Sequence, residues 1–307
     1  MLDKETLYQA ILERHSVRRY DSAPLDASTL TQIEEIVQQV QPLVPANRMD
    51  VLRRDHAIDE DLATILDVYG RFISPPHALA PYIRGQEHLL VDLGYRVEQM
   101  AVRMAGLGVG SCYVGALRRE QEVRERLGLP VQARIGAYLV FGQPATSLGG
   151  RAFNALISSV SGGSKRLPVT RIFFQGSFDH PASPPAGLAP LIEAARYAPS
   201  AVNTQPWRFL WRDGPALTCP HDQCQGSQAD GRLYLFVKRD NRRYGGGANV
   251  AYRLYDGGIC MANVALAMEA LDVPGAWALC EATDPQLPTH PADLAPLAML
   301  TLDEPLA

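Results

Sequence analysis

The feature that most constrains this chain is that it contains a second, fainter version of itself. Asp92-Leu93-Gly94 and Gln99 stand 164 positions before Asp256-Gly257-Gly258 and Asn263. At the same offset Ala101, Met104, Leu107 and Val109 meet Ala265, Met268, Leu271 and Val273, and Tyr113 meets Trp277. A second block matches at offset 158, where Leu30, Ile33, Glu35, Leu52, Arg54 and Asp55 face Leu188, Leu191, Glu193, Leu210, Arg212 and Asp213. Amphipathic helices resemble one another by chance, but two blocks in the same order, with offsets differing by only 6, favour duplication. The period is far too long for a solenoid unit. A chain of 307 residues also holds two ordinary domains at ~150 residues each.

Local patterns fill in the two halves. Leu89, Leu93, Val97, Met100 and Met104 recur every three or four residues, which is helical spacing, and Ile259, Asn263, Leu266 and Ala270 lie on a comparable face. Leu30, Ile33, Val37 and Val40 form another helical stripe, opened by Asp26 as a cap. An amino-terminal helix is capped near Asp3, and Pro199 should end a helix that begins near Leu188. Short apolar runs at Ala137 to Phe141, Phe209 to Trp211, Leu233 to Val237 and Leu297 to Leu302 read as strands. Gly, Ser and Pro clusters within 143–165, and again from Asp179 to Gly187, read as loops. Arg171-Ile172-Phe173-Phe174 between them should be an extended segment packed on a body, crossing from one half to the other. The expected fold class is α+β, with a small central sheet flanked by helices in each half, residues 1–178 and 179–307.

Composition removes several functional classes. Hydrophobic residues at 47% and charged residues at 20% argue against disorder and coiled coil. Twenty-nine Lys+Arg against 33 Asp+Glu, a net −4, give no global basic field for nucleic acid. No apolar run approaches the ~18–20 residues needed to span a bilayer. Met1-Leu2-Asp3-Lys4-Glu5 is unlike a secretory or transit peptide, so a soluble cytoplasmic protein is expected. Cys112, Cys260 and Cys280 sit among apolar neighbours and read as small buried hydrophobes. Cys219 and Cys224 flank His221, but the spacing fits no standard zinc pattern and no second Cys/His pair follows. A polar surface loop and no metal site is the expectation there.

Two local motifs carry chemistry. Arg14-His15-Ser16-Val17-Arg18-Arg19-Tyr20 puts three guanidiniums, an imidazole and a hydroxyl in seven residues. It reads either as a compact anion receptor or as a basic helix C-terminus answering the macrodipole. Pro199-Ser200-Ala201-Val202-Asn203-Thr204-Gln205-Pro206-Trp207 offers small neutral donors and acceptors on a loop before a strand. These suit the edge of a neutral heterocycle or a polyol chain, or form a plain Asn/Ser/Pro turn. No catalytic triad, paired-carboxylate motif or G-x-G-x-x-G fingerprint is present.

Together the two motifs resemble the FMN-dependent nitroreductase superfamily, which typically reads Arg-Arg/His-Ser-x-Arg/Lys-x-Phe/Tyr early and Pro-Ser-x-x-Asn-x-Gln-Pro-Trp soon after. Gly106 to Leu117 resembles the family's Leu-Gly-x-Gly-x-x-Trp-Ile-Gly-Gly-Phe loop. Leu127-Gly128-Leu129-Pro130 and Phe141-Gly142-Gln143-Pro144 resemble its later markers, and Lys165-Arg166-Leu167-Pro168 its late basic segment. The family's subunits are homodimers with flavin between the early motif of one subunit and the Asn loop of the other. The present chain carries the early motif only in its first half and the Asn loop only in its second. At offset 158, Pro42, Pro45 and Asn47 stand where the second half has Ser200, Asn203 and Gln205. This pattern resembles the fused, tandem branch, a single-chain pseudo-dimer, and implies one FMN per chain and a monomer.

The resemblance implies roles position by position. Arg14, Ser16 and Arg166, with Lys165, would hold the flavin phosphate, and Arg18 would approach the N1/O2 edge of the ring. His15 would contribute through its backbone, as would Gly115 and Ala116 near N5, and Pro199, Ser200, Asn203 and Gln205 would close the pocket. NADH or NADPH would supply hydride, and a nitroaromatic, quinone or similar small acceptor would receive it, with no obligatory protein acid or base. The alternatives are a biosynthetic dehydrogenase or oxidase passing electrons to oxygen, and a flavin-binding protein without turnover. A flavin-free structural remnant would instead leave Arg14–Arg18 and Ser200–Gln205 far apart in the folded chain. Residues 55 to 87 and 213 to 232 match nothing firmly and are where a substrate lid could lie.

Overall fold

The sheet built by the first half recurs in the second. In the computed structural model, which describes residues 2–55, 73, 75–146, 165–212, 231–240, 251–281, 283–284 and 287–302, the architecture is α+β. Strands β1 (Arg48–Asp55), β2 (His77–Arg84), β4 (Ala137–Gly142) and β3 (Gly110–Gly115) lie side by side in that order, all neighbours antiparallel. Strands β6 (Trp207–Arg212), β7 (Arg232–Lys238), β9 (Leu294–Leu302) and β8 (Gly275–Leu279) repeat the order and the directions. The second sheet gains β5 (Phe173–Gln175), parallel to β6 at its edge.

The helices follow from caps and stripes in the sequence. In α1 (Lys4–Glu13) the Asp3 carboxylate accepts from the Thr6 amide at 2.8 Å, and in α2 (Ala27–Gln39) Asp26 accepts from Thr29 at 2.9 Å. Each satisfies an N–H that the first helical turn leaves without a partner. After α3 (Leu89–Gly106) and the short α4 (Glu120–Leu127), α5 (Ala189–Tyr197) stops at Ala198, whose ψ of 136° is extended. The ring of Pro199 disfavours helical backbone at the residue before it. The last helix, α6 (Tyr252–Leu271), was expected to have one apolar face but is buried on all sides from Tyr255 to Val264. An apolar helix surrounded in this way is the centre of a core rather than its cover.

That centre is the crossing of α3 with α6. A Cβ on Gly94 would overlap the carbonyl oxygen of Tyr255, and one on Gly258 would overlap the carbonyl oxygen of Val91. Leu93, Val97, Met100 and Met104 of α3 join Ile259, Met261, Val264 and Ala267 of α6 in one hydrophobic cluster that spans both halves.

The expected strands fall within β4, β6, β7 and β9, and Phe173–Phe174 lie in the crossing strand β5. Asp179–Gly187 is irregular apart from a bridge between Pro181 and Phe174. The Gly/Ser runs at 147–164 and the Cys219–His221–Cys224 cluster lie outside the described residues. Cys112 and Cys260 are buried as expected, whereas Cys280, just beyond β8, is only half-buried. Among the described residues no helix is long and apolar enough to cross a membrane.

Candidate active site

The early motif leaves α1 and runs along β3. Arg14 is the C-cap residue of α1, its amide bonded to the Ala10 carbonyl at 2.9 Å. Ser16 then bridges in parallel to Ser111, and the Val17 amide donates to the Ser111 carbonyl at 2.9 Å. The last turn of α1 holds no basic residue of its own, and Arg14 at its C-cap is the first cation at that end. The Arg14 side chain turns inward, 3% exposed, with Nε 3.5 Å from Oε1 of Glu98 on α3. Neither that oxygen nor Arg14 Nε and Nη1 makes a hydrogen bond, and the buried Ser111 Oγ makes none either. Burial raises the Cys112 thiol against the nearby charge of Arg18, a hydrogen bond with Ser16 and the charge of Arg14. Arg14, Ser16 and Arg18 therefore converge on one end of β3. His15 is exposed, its ring nitrogen against the Glu13 carbonyl at 3.0 Å.

The Asn loop is knotted to the 165–167 segment. Arg166 donates to the carbonyls of Tyr197 at 2.8 Å and Ala198 at 3.0 Å, and reaches Asn203 Oδ1 at 3.4 Å. Asn203 Nδ2 and Gln205 Nε2 both donate to the Lys165 carbonyl at 3.0 Å, and Gln205 Oε1 accepts from the Leu167 amide at 2.8 Å. Ser200 Oγ accepts from the Gln205 amide at 2.9 Å. These side chains shape the loop by holding its neighbour. Lys165 itself is exposed, while Pro199 is half-buried after the end of α5. Val202, Asn203 and Gln205 have φ of 46°, 52° and 46°. Left-handed backbone is rare for a β-branched residue such as Val202, and such conformations persist only where surrounding bonds enforce them. The Asp256 carboxylate on α6 supplies one, taking the Ala201 amide with both oxygens at 3.1 Å.

Arg166 joins the two motifs. Burial and the neighbouring Arg14 cation lower its pKa to about 10, with Glu98 opposing them. Burial pushes Glu98 up to about 7, against Arg14, the Tyr113 hydroxyl and Arg166. Two guanidiniums within electrostatic reach, with one buried carboxylate that resists ionisation, form a strongly cationic cluster. Arg166 thus bonds the Ser200–Gln205 loop while lying within electrostatic reach of Arg14.

Gly115 and Ala116 lie at the opposite end of β3, about 13 Å from Ser111 at the usual rise of a strand. The Ala116 amide donates to the Gly136 carbonyl at 3.0 Å. A Cβ on Gly115 would sit 2.7 Å from the Tyr252 hydroxyl, so this phenol gives position 115 a steric reason to be glycine. Tyr252, with Leu90 and Leu117, forms a small cluster that Ala201 packs against.

Four participants escaped the sequence reading: Glu98, the Tyr113 hydroxyl, Tyr252 and Asp256. Asp92 and Asp256 were visible as paired positions of the repeat without a role. The structure gives them the same one, since Asp92 accepts from the Leu43 amide at 2.9 Å, 158 positions before Ala201. Glu98 sits among apolar positions of α3, where the burial of nearly every face hid it.

Known proteins agree with this architecture. A family model described as "Putative TM nitroreductase" matches residues 6–228. A "putative nitroreductase" from Thermotoga maritima, 17% identical, shares the fold over 97% of this chain and 94% of its own, with a TM-score of 0.54. An "NADPH-dependent oxidoreductase" of Staphylococcus epidermidis is 24% identical over 197 residues, 56% of this chain and 74% of that protein. With the family model covering more than half of its length, this chain belongs to that nitroreductase family and is an oxidoreductase.

Proposed function

We propose that this chain is an FMN-dependent oxidoreductase that uses NADH or NADPH to reduce a nitroaromatic, quinone or similar small acceptor at one composite site. The flavin, when bound, supplies the hydride chemistry between nicotinamide and acceptor. One observation carries the reading: the Arg14 guanidinium is buried beside a second cation, Arg166, with Nε and Nη1 lacking any hydrogen-bond partner. Such a donor set fits a phosphate, because arginine forks match its oxygens and an anion would relieve the like-charge repulsion. The unpartnered Ser111 Oγ adds a donor beside it.

In this reading Arg14, Ser16 and Arg166 hold the phosphate, Lys165 adds charge, and Arg18 meets the N1/O2 edge of the ring. His15 contributes backbone. Gly115 and Ala116 line the N5 side with Tyr252 behind them, which keeps that side narrow. Pro199, Ser200, Asn203 and Gln205 close the site, the last three by fixing the 165–167 segment. The nicotinamide preference of the Staphylococcus epidermidis relative supports NADPH as one reductant.

We read residues 1–178 and 179–307 as one nitroreductase-like subunit duplicated, a monomeric pseudo-dimer. The shared strand order, the exchanged glycine contacts and the paired Asp92 and Asp256 bonds support this. The counterpart pocket supports a single flavin per chain. There a cleft of about 590 Å³, lined by Pro42, Leu43, Tyr95 and Trp277, carries Glu269 and Asp272, whose carboxylates are paired with Arg103 and Lys4, and Pro42, Pro45 and Asn47 stand in place of Ser200, Asn203 and Gln205. Its loop is pinned by Arg96, which donates to the carbonyls of Val44 at 3.2 Å and Asn47 at 3.1 Å.

The test is the visible spectrum of the purified chain. A bound flavin near one per chain, bleached anaerobically by NADH or NADPH, is the expected result. A colourless protein that takes up no added FMN overturns the reading, and a value near two refutes the single site.

A further inference from the structure

Glu98 is fully buried behind the cationic cluster, and the reading above gives it no task. Its Oε1 faces Arg14 Nε at 3.5 Å, yet both atoms lack hydrogen bonds. Its Oε2 accepts from the Tyr113 hydroxyl at 2.6 Å. Every packed element contributes a titratable or charged neighbour: Arg14 from the end of α1, Tyr113 from β3, Arg166 from the 165–167 segment, and Tyr255 and Cys260 from α6. A buried ion pair meant only for stability closes its hydrogen bonds, because otherwise desolvation outweighs the attraction. This pair stays open, which leaves Arg14 N–H groups for another anion.

We propose that Glu98 is a positioning residue that sets the net charge Arg14 presents, so that binding of a phosphate-bearing flavin takes up one proton at Glu98. The proposal rests on the flavin reading above. With Glu98 neutral, Arg14 and Arg166 stand as two uncompensated cations before the phosphate. With Glu98 ionised, one cation is cancelled and the attraction for the dianion is weakened. Burial already holds this carboxyl at about 7 in the free chain. A dianion close by drives it higher, since a neighbouring like charge disfavours ionisation. Affinity then falls as pH rises above that value, by at most tenfold per pH unit for one linked proton. The phosphate's own second ionisation, near pH ~6, finishes at the low edge of this window and acts with the opposite sign, strengthening binding as pH rises.

The experiment measures FMN and riboflavin binding to the full chain freed of flavin, by fluorescence quenching at constant ionic strength from pH ~6.5 to ~8.5. For the unaltered chain we expect the Kd for FMN to rise roughly tenfold across that range while riboflavin stays flat. Glu98→Gln should bind FMN tightly with no such rise. Tyr113→Phe removes a donor to the carboxylate and should move the rise to higher pH. Calorimetry in buffers of different ionisation heat should register proton uptake that Glu98→Gln abolishes. Equal slopes for the unaltered chain and Glu98→Gln, or the same slope for riboflavin, overturn the role of Glu98 and leave the flavin reading standing. A chain that binds no FMN at any pH overturns both.

Discussion

Gly94 and Gly258, 164 positions apart, each lie against the backbone of the other's helix: Gly94 on the carbonyl of Tyr255, Gly258 on that of Val91. The two carbonyls belong to residues separated by the same 164 positions. In a two-fold interface residue i touches j and j touches i, and this crossing obeys that rule within one chain. The obstacle to a methyl group at either place is backbone, which cannot rotate aside. Gly94→Ala and Gly258→Ala should each lower stability by about 1–3 kcal/mol, read from urea midpoints. If either is neutral, the helices are not in backbone contact there.

Asp92 and Asp256 hold equivalent loops but should fail differently. Asp256→Ala strips the Ala201 amide of its acceptor beside the strained Val202 and Asn203. It should cost about 1–3 kcal/mol and weaken FMN retention several-fold. Asp92→Ala leaves the buried Arg96 without its carboxylate partner and should cost more, about 3–5 kcal/mol. Flavin bound per folded chain should be unchanged in that variant. Thermal melts paired with flavin content separate the two outcomes, and equal loss of flavin in both would deny the loops distinct duties.

Glu98 also marks the dependence of stability on pH. Its folded pKa, about 7, lies above the ordinary carboxylate value of 4.5. The neutral form is favoured on folding, so this contribution is full below pH ~4.5 and is lost as pH rises through ~7. The flavin-free Glu98→Gln chain should therefore gain on the unaltered chain across that window, by up to about 3 kcal/mol, and the difference should level off above it. Denaturant titrations at pH 5 and pH 8 suffice. A difference that does not grow with pH shows that Glu98 ionises in the folded chain as readily as in the unfolded one.

Removing the Arg14 guanidinium should discriminate between ligands. Arg14→Met is expected to loosen FMN by about 10–100-fold, the loss of a charge-assisted hydrogen bond or two, while riboflavin binding barely moves. Parallel loss of both ligands would place Arg14 at the ring or in the scaffold, not at the phosphate.

Much of this was legible in the residues. The two helix caps, Asp3 and Asp26, declare themselves because a short acceptor before an apolar stripe has few other uses. The stop before Pro199 and the apolar strands were equally plain. Motif chemistry brought Arg14 and Ser16 to attention and the family resemblance added Arg166, which lies within electrostatic reach of Arg14. What stayed hidden depends on tertiary burial. Glu98 looks like any helix glutamate until both sides of α3 are covered, and Tyr252 gains meaning only when α6 brings it over Gly115. The Asn loop differed in kind: Asn203 and Gln205 suggested groups facing a ligand or a plain turn, whereas Asn203 Nδ2 and the Gln205 side-chain amide bond the 165–167 backbone and Asn203 Oδ1 takes the Arg166 side chain.

The crossing of α3 with α6 has a genetic consequence. In a dimer of identical subunits every codon change lands on both sides of the symmetry axis, so neither pocket can be altered without the other. Here Gly94 and Gly258 are written separately, and so are Asp92 and Asp256. Within one chain, selection can hold Gly94 and Gly258 at their joint while the loops bonded to Asp92 and Asp256 change independently.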